Sequence, residues 1–528
     1  MEPEKTPLRN KGLSLLKAGR KGLFSIVFSR MAIIVLLLVL QVWLLFSAFC
    51  WFEDFLPHIF GGTILFSVIM VLYLLNSRLD ASAKLTWLLV IMLMPVFGAL
   101  LYLFTRSDLG HRTLRERTAK MIDQTGSLIT TDSATMEKLT QQSPGSAALA
   151  RYLDRTGCFP VYENTAVTYF PLGEQKFEAM LQQLEKAERF IFLEYFIVEE
   201  GLMWGQILEI LARKAAQGVD VRVMYDGTCE LSTLPRDYPK RLRKLGIQCK
   251  PFAPITPFVS THYNYRDHRK ILVIDGRTAF TGGVNLADEY INQIVKHGHW
   301  KDTAIMLEGE AARSFTLMFL QMWNLDEKTP DFSIVSEIPP APSAATNGFV
   351  IPYGDCPVDE DRVGEQVYID ILNRAQKYVH IMSPYLILDG EMEAALIYAA
   401  KRGVDVRLIL PGIPDKAFPY ALAFTHYPAL IDAGVKIGEY TPGFVHAKVF
   451  VCDDKEAVVG TINLDYRSLY HHFECAAYLQ DVPCIPQIQE DFEATWSKCR
   501  MVTKETMRKA SFSRWLYGVI LKPLAPLM

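Results

Sequence analysis

His268-Arg269-Lys270-Ile271-Leu272-Val273-Ile274-Asp275, followed after six residues by Gly282-Gly283-Val284-Asn285, decides how this chain is read, because the pattern occurs twice. The second copy is His446-Ala447-Lys448-Val449-Phe450-Val451-Cys452-Asp453, followed after the same gap by Gly460-Thr461-Ile462-Asn463. A single His-x-Lys on a strand is most simply a solvated polar face. Two copies with matched downstream Gly and Asn point to a duplicated site that needs two sets of the same groups. The flanks extend the duplication: Ala215-Ala216-Gln217-Gly218-Val219-Asp220-Val221-Arg222 aligns with Ala400-Lys401-Arg402-Gly403-Val404-Asp405-Val406-Arg407, and Glu194-Tyr195-Phe196-Ile197 with Pro384-Tyr385-Leu386-Ile387. Each half reads as strand, helix, strand, then motif strand. The expected fold is therefore α/β, two pseudo-symmetric lobes of mixed sheet flanked by helices, and not a solenoid.

Side chains alternate faces along a strand, so each His and its Lys project to the same side. The apolar run after Lys270 predicts a buried strand, and Asp275-Gly276 and Asp453-Asp454-Lys455 predict hairpin turns. The motif aspartates then lie more than ~10 Å from their imidazoles, at a rise of ~3.3 Å per residue. Asp275 and Asp453 complete the signature as supports of the turn, while the histidines and lysines carry the chemistry. Two such strands facing each other suit phosphodiester transfer. One His attacks phosphorus while the other acts as acid and then base, since imidazole titrates near working pH. Lys270, Lys448, Asn285, Asn463 and Thr461 are the candidates for holding the phosphoryl oxygens. No metal or other cofactor is expected, because ammonium groups can neutralise the charge that Mg²⁺ neutralises elsewhere. His297, His299, His471 and His472 find no third ligand at a persuasive spacing.

The chain has 528 residues, too many for one compact core, and a formal net charge of −3 that offers no global basic field for nucleic acid. Nine cysteines without a C-x-x-C pair suggest neither a disulfide framework nor a zinc ribbon. Three apolar runs, 31–52, 55–75 and 85–104, predict a transmembrane region over 31–104, preceded by a basic segment at 1–30. The basic start places the N-terminus, and with it the catalytic region, on the cytoplasmic side, although it could also grip anionic head groups. Three full crossings would separate the basic flanks. Pro95 and Gly98 in the third run therefore suggest a bent helix or half-crossing. The expected lobes are 110–330 and 348–505, joined by a linker at 331–347. The end, 506–528, places Phe512, Trp515, Leu516, Val519 and Ile520 at roughly helical spacing, which fits either a core-packing or an interfacial helix.

The duplicated pattern resembles the HKD motif of the phospholipase D superfamily, and the whole arrangement resembles the bacterial cardiolipin synthases within it. The resemblance covers nearly the whole chain. It includes Ala83-Lys84-Leu85-Thr86-Trp87 through Pro95-Val96-Phe97-Gly98, both motifs, Trp300-Lys301-Asp302 and Asn463-Leu464-Asp465-Tyr466-Arg467-Ser468. One departure is an extra apolar run ahead of the usual pair. The resemblance implies that the lobes enclose one site, that a phosphatidyl-histidine forms, with His268 slightly preferred as nucleophile, and that no cofactor is required. It also implies that Asp302 and Glu474, downstream of the motifs, orient the imidazoles. The implied reaction joins two phosphatidylglycerols into cardiolipin and glycerol at a multi-pass site in the plasma membrane, with anionic lipid as the partner. Hydrolysis, or another phosphatidyl transfer such as phosphatidylserine synthesis, shares the first half-reaction. A membrane-tethered nuclease is disfavoured by the charge balance and by the lack of basic–aromatic interleaving. A catalytically dead scaffold is disfavoured by two intact motifs.

Overall fold

The computed structural model describes residues 39–52, 63–106, 109–255, 264–340, 346–359, 361–508 and 512–527. The basic segment 1–30 and the early parts of the first two apolar runs lie outside the described residues, as do 341–345 of the linker. Each half builds one mixed sheet around its motif strand. In the first, the order across the sheet is Thr165–Phe170, Ala304–Gly309, Thr278–Gly282, Lys270–Ile274, Phe190–Tyr195, Asp220–Asp226, Gln248–Phe252. In the second it is Phe349–Asp355, His472–Gln480, Glu456–Gly460, Val449–Cys452, Tyr378–Met382, Asp405–Pro411, Lys436–Tyr440, with Cys499–Val502 added at the edge. The two orders correspond strand for strand. The motif strand pairs antiparallel with its hairpin partner and with the first strand of its α/β unit, whose next two neighbours run parallel. Both predicted hairpin turns form. Asp275 and Gly276 have φ of 55° and 68°, and Asp453 and Asp454 have 52° and 60°, the left-handed pair that a two-residue hairpin loop requires.

The lobes share one apolar interior rather than touching at a polar seam. Phe192, Ile271 and Phe319 of the first half belong to the same buried cluster as Val449, Val459 and Ala477 of the second. Two further clusters, one in each lobe, sit on the outer faces of the sheets beneath their helices. The expected first lobe, 110–330, needs a correction. Ser133–Gln142 and Pro144–Gly157 contribute Leu139, Ala147, Ala150 and Leu153 to the core of the second lobe. Ser146 Oγ also donates to Gln480 Oε1 at 2.5 Å.

The third apolar run, expected to cross or half-cross the membrane, is broken into Ala81–Leu93 and Pro95–Arg106. Asp80 caps the first helix by accepting from the Ala83 N–H, and Met94 leaves the helical conformation just before Pro95, as the steric demand of proline on its predecessor favours. The two helices then fold back on each other. A Cβ on Gly98 would lie 2.8 Å from the Val90 carbonyl oxygen, so only glycine permits the approach. Ahead of them, Thr63–Leu75 has 13 residues, about 20 Å at the helical rise and short of a ~30 Å hydrocarbon core. Among the described residues no helix is long and apolar enough to cross a membrane.

Candidate active site

Two short parallel pairings between the lobes build the site. Arg266–Asp267, just ahead of the first motif, pairs with His472–Phe473 of the second half. Gly443–Val445, just ahead of the second motif, pairs with His299–Lys301 of the first. Each catalytic imidazole thereby receives its carboxylate from the opposite lobe. The main-chain N–H of His268 donates to Phe473 O at 2.9 Å, and Glu474 lies 2.8 Å from His268 Nδ1 through Oε1. In mirror image, the N–H of His446 donates to Lys301 O at 2.7 Å, and Asp302 Oδ2 lies 2.7 Å from His446 Nδ1. With Nδ1–H committed to a carboxylate, Nε2 of each ring is left for the cavity. Glycine makes this approach possible: a Cβ on Gly283 would fall 2.0 Å from Asp302 Oδ1 and 2.8 Å from the His446 carbonyl.

His268 and His446 both line a cavity of ≈ 920 Å³ between the lobes, together with Asn285, Asn463, Arg467 and His472. The rings are held by aromatic edges. Phe196 lies 4.9 Å from His268 between centroids, while Tyr290, Trp300 and Phe444 surround His446 at 5.3, 5.5 and 5.9 Å. Lys270 and Lys448 are fully buried beneath the histidines. Lys270 Nζ donates to His268 O at 2.6 Å and Lys448 Nζ to His446 O. Burial lowers them to about 8 and about 7 respectively. Burial first, and then the nearby ammonium groups, also keep the imidazoles neutral. His446 falls to about 4 and His268 well below the ordinary histidine value.

The remaining sequence candidates divide. Asn285 reaches the cavity, but its amide is spent on the Ile197 N–H, 3.1 Å, and the Tyr290 hydroxyl, 2.8 Å. Asn463 is buried with Oδ1 unpartnered among the described residues. Thr461 is a correction. Its hydroxyl donates to Glu474 Oε2 and to Cys475 O, so it braces the carboxylate behind His268 instead of facing a phosphate. Asp275 accepts from the N–H groups of Glu188, Arg189 and Phe190 at 2.9, 2.8 and 2.8 Å. Asp453 accepts from Gln376, Lys377 and Tyr378, each at 2.8 Å. Both tie the motif hairpin to the start of the neighbouring strand, where a carboxylate satisfies three donors at once.

Sequence reasoning weighed His472 only as a metal ligand and did not place it beside the first catalytic histidine, and it missed Lys176. The His472 ring lies tilted, 5.2 Å from that of His268 between centroids, accepts from Arg467 Nε at 3.2 Å, and is driven by burial to about 3. Its place two residues before Glu474 on one strand was the available signal. Lys176 is buried and donates to Val284 O at 3.2 Å, holding the segment that carries Asn285. Nitrogen or oxygen atoms of His268, His472 and Glu474 gather within 4.8 Å of one another, so a cation would find donors there. Glu474 is already shared between His268 and Thr461.

Residues 180–323 and 368–496 match the family described as cardiolipin synthase, PLD-like domain, and residues 65–106 match the phospholipase D-nuclease N-terminal family. An uncharacterized protein of Streptococcus mutans is 58% identical over 463 residues, covering 87% of this chain and 99% of that one. Cardiolipin synthase 2 of Bacillus anthracis is 32% identical over 461 residues, covering 87% of this chain and 89% of that one. The fold is also similar to the crystal structure of a phosphatidylserine synthase from Haemophilus influenzae Rd KW20, with a TM-score of 0.57 and 14% identity over 73% of this chain and 100% of that one. Two lobes of one topology, each lending a carboxylate to the other's histidine, are thus the frame of a chain that belongs to the cardiolipin synthase family of phospholipase D-like proteins.

Proposed function

We propose that the chain is a membrane-associated phosphatidyltransferase that converts two phosphatidylglycerols into cardiolipin and glycerol. His268 Nε2 attacks the phosphorus of the first lipid, and a P–N bond forms as the bond to the glycerol head group breaks. The departing alkoxide takes a proton from His446. In the second half, a hydroxyl of another phosphatidylglycerol loses its proton to His446 as its oxygen attacks phosphorus, and the P–N bond breaks. Atoms and protons balance, and His446 returns to its starting state. The observation that carries the reading is the pair of imidazoles on one cavity, each with Nδ1 held by a buried carboxylate from the opposite lobe. That arrangement fixes both tautomers and stabilises an imidazolium once it forms.

Both histidines are neutral in the free site, which suits the attacking ring. An acid must gain its proton as substrate binds, and the negative charge of a phosphodiester raises the affinity of a nearby imidazole for a proton. The buried ammonium groups of Lys270 and Lys448 lie directly beneath, and their charge offsets that of the phosphoryl oxygens. Membrane association follows from the substrate. A two-chain lipid leaves the bilayer at a cost of ~0.8 kcal/mol per exposed CH₂, so an enzyme that works at the head-group plane avoids most of that cost. The test is incubation of purified full-length protein with phosphatidylglycerol in detergent and separation of the lipids. Cardiolipin with stoichiometric glycerol is the expected result. Phosphatidic acid as the main product would replace transfer with hydrolysis.

A further inference from the structure

Two apolar surfaces from opposite ends of the chain meet beside the catalytic cavity. Helix Phe512–Leu521 presents Phe512, Trp515, Leu516 and Ile520 outward, 71%, 46%, 41% and 60% exposed. The hairpin made by Ala81–Leu93 and Pro95–Arg106 exposes Leu85, Met92 and Leu93. A helix packed on a water-soluble surface would carry polar residues on that outer face. The junction between the two is built rather than incidental. Gly518 lies so close to helix Ala417–Ala433 that a Cβ would fall 2.4 Å from the Ala421 carbonyl oxygen. Thr86 Oγ1 donates to Pro523 O at 2.5 Å, and Pro526 O lies 3.4 Å from Nε2 of His471, the neighbour of His472. The C-terminal segment is therefore clamped between the hairpin and the strand that carries Glu474. Tyr517 and Leu521, on this same helix, line the wall of the catalytic cavity.

We propose that helix Phe512–Leu521 and the N-terminal hairpin form one lipid-docking face, occupied by the bilayer itself, and that substrate enters the cavity past Tyr517 and Leu521. This rests on the phosphatidyltransferase reading. A bilayer fits better than a second copy of the chain because the exposed apolar surface continues onto further helices, over all of Thr63–Leu75 except the face of Phe66, Met70 and Leu74 that packs on the hairpin. Residues 39–52 expose Val39, Trp43 and Trp51, and Thr63–Leu75 exposes Ile64, Val68 and Leu72. Such a distribution suits an apolar solvent and not one protein groove. Arg514, 4.9 Å over the Tyr420 ring, and the exposed Lys522 add positive charge to this segment, which suits anionic head groups.

The test uses full-length protein in vesicles of phosphatidylglycerol and phosphatidylcholine, with a photo-crosslinking amino acid placed at Leu516 or Ile520 and, as control, at exposed Glu209 of the first lobe. Lipid adducts at the first two positions and none at the third are expected. Adducts to another copy of the chain would overturn the proposal. Leu516→Asp with Ile520→Asp should lower the rate on vesicles at least ten-fold and leave the rate on monomeric short-chain phosphatidylglycerol unchanged. Equal rates on vesicles before and after substitution, or an equal fall on both substrates, would each overturn it. If wild-type protein forms phosphatidic acid instead of cardiolipin, the transfer reading fails, while the vesicle-to-monomer ratio still reports docking.

Discussion

At the scale of single residues, the site depends on a crossing that no spacing announces. His268 relies on Glu474 and His446 on Asp302, so each imidazole is useless without the other lobe. Glu474→Gln or Asp302→Asn should keep the fold but lower turnover by about 10²–10⁴, because an amide can present its NH₂ to Nδ1 and hold the wrong tautomer. Steady-state rates with phosphatidylglycerol, alongside unchanged circular dichroism, check this. A second expectation concerns pH. After burial itself, the ammonium of Lys448 is the largest influence pushing His446 down to about 4. Lys448→Met removes a repulsion that disfavours the imidazolium, so the pKa of His446 must rise. The pH dependence of kcat/KM, which reports groups of the free enzyme, should shift its His446 limb upward while the maximum rate falls. An unmoved limb would show that Lys448 does not sense the imidazole. The histidines and lysines were legible from residue type and repetition, and the downstream carboxylates only through the family resemblance. Thr461 was misread because the strand ends at Gly460. Beyond that point alternation no longer tells which way a hydroxyl turns, and Thr461 turns inward to Glu474.

Elements were legible where their periodicity was local, and illegible where a partner elsewhere decided the outcome. Motif strands, hairpin turns and the repeated α/β units follow from alternation, from Asp-Gly or Asp-Asp turns and from apolar runs. The helices Ser133–Gln142 and Pro144–Gly157 looked like part of the first lobe because they precede it. An amphipathic helix shows that it has an apolar face but not which sheet covers that face, and here the second lobe's sheet does. The third apolar run has the length of a span, yet Pro95 and the small Gly98 let it fold on itself. The inter-lobe pairings are two and three residues long, too short for any pattern. Their tolerance can be measured. Gly283→Ala would press a methyl group against Asp302 and the His446 carbonyl, forcing the two elements apart. We expect loss of most activity and a stability decrease of about 1–3 kcal/mol, the usual cost of overpacking. Gly390→Ala, whose Cβ would meet nothing within 4 Å, is the matched control and should behave as wild type. Thermal unfolding and rates on detergent-dispersed lipid distinguish the two.

Across the whole molecule, duplication yields one site with two unlike halves. The first imidazole has a second histidine, His472, against it, and the nearby Arg467 reinforces its neutrality. The second has a cage of Tyr290, Trp300 and Phe444, with no further imidazole in ring contact among the described residues. Burial and neighbouring cations hold both rings below the ordinary histidine value, but the carboxylate of Asp302 pulls His446 back upward, while Arg467 pushes His268 further down. A cation beside the first ring disfavours its imidazolium and suits it to attack, while a carboxylate that favours the imidazolium suits the second ring to take and return the proton. His268 should therefore carry the phosphatidyl group. Rapid quenching of enzyme with a donor labelled in its phosphorus, followed by peptide mapping, should place the label on the peptide containing His268. His446→Ala should slow both appearance and breakdown of that label, since departure of glycerol and activation of the second hydroxyl each need its proton transfer. His268→Ala should leave no label at all. Label on the peptide containing His446 in wild-type protein would reverse the two roles while leaving the crossed carboxylates, and the need for both lobes, as they are.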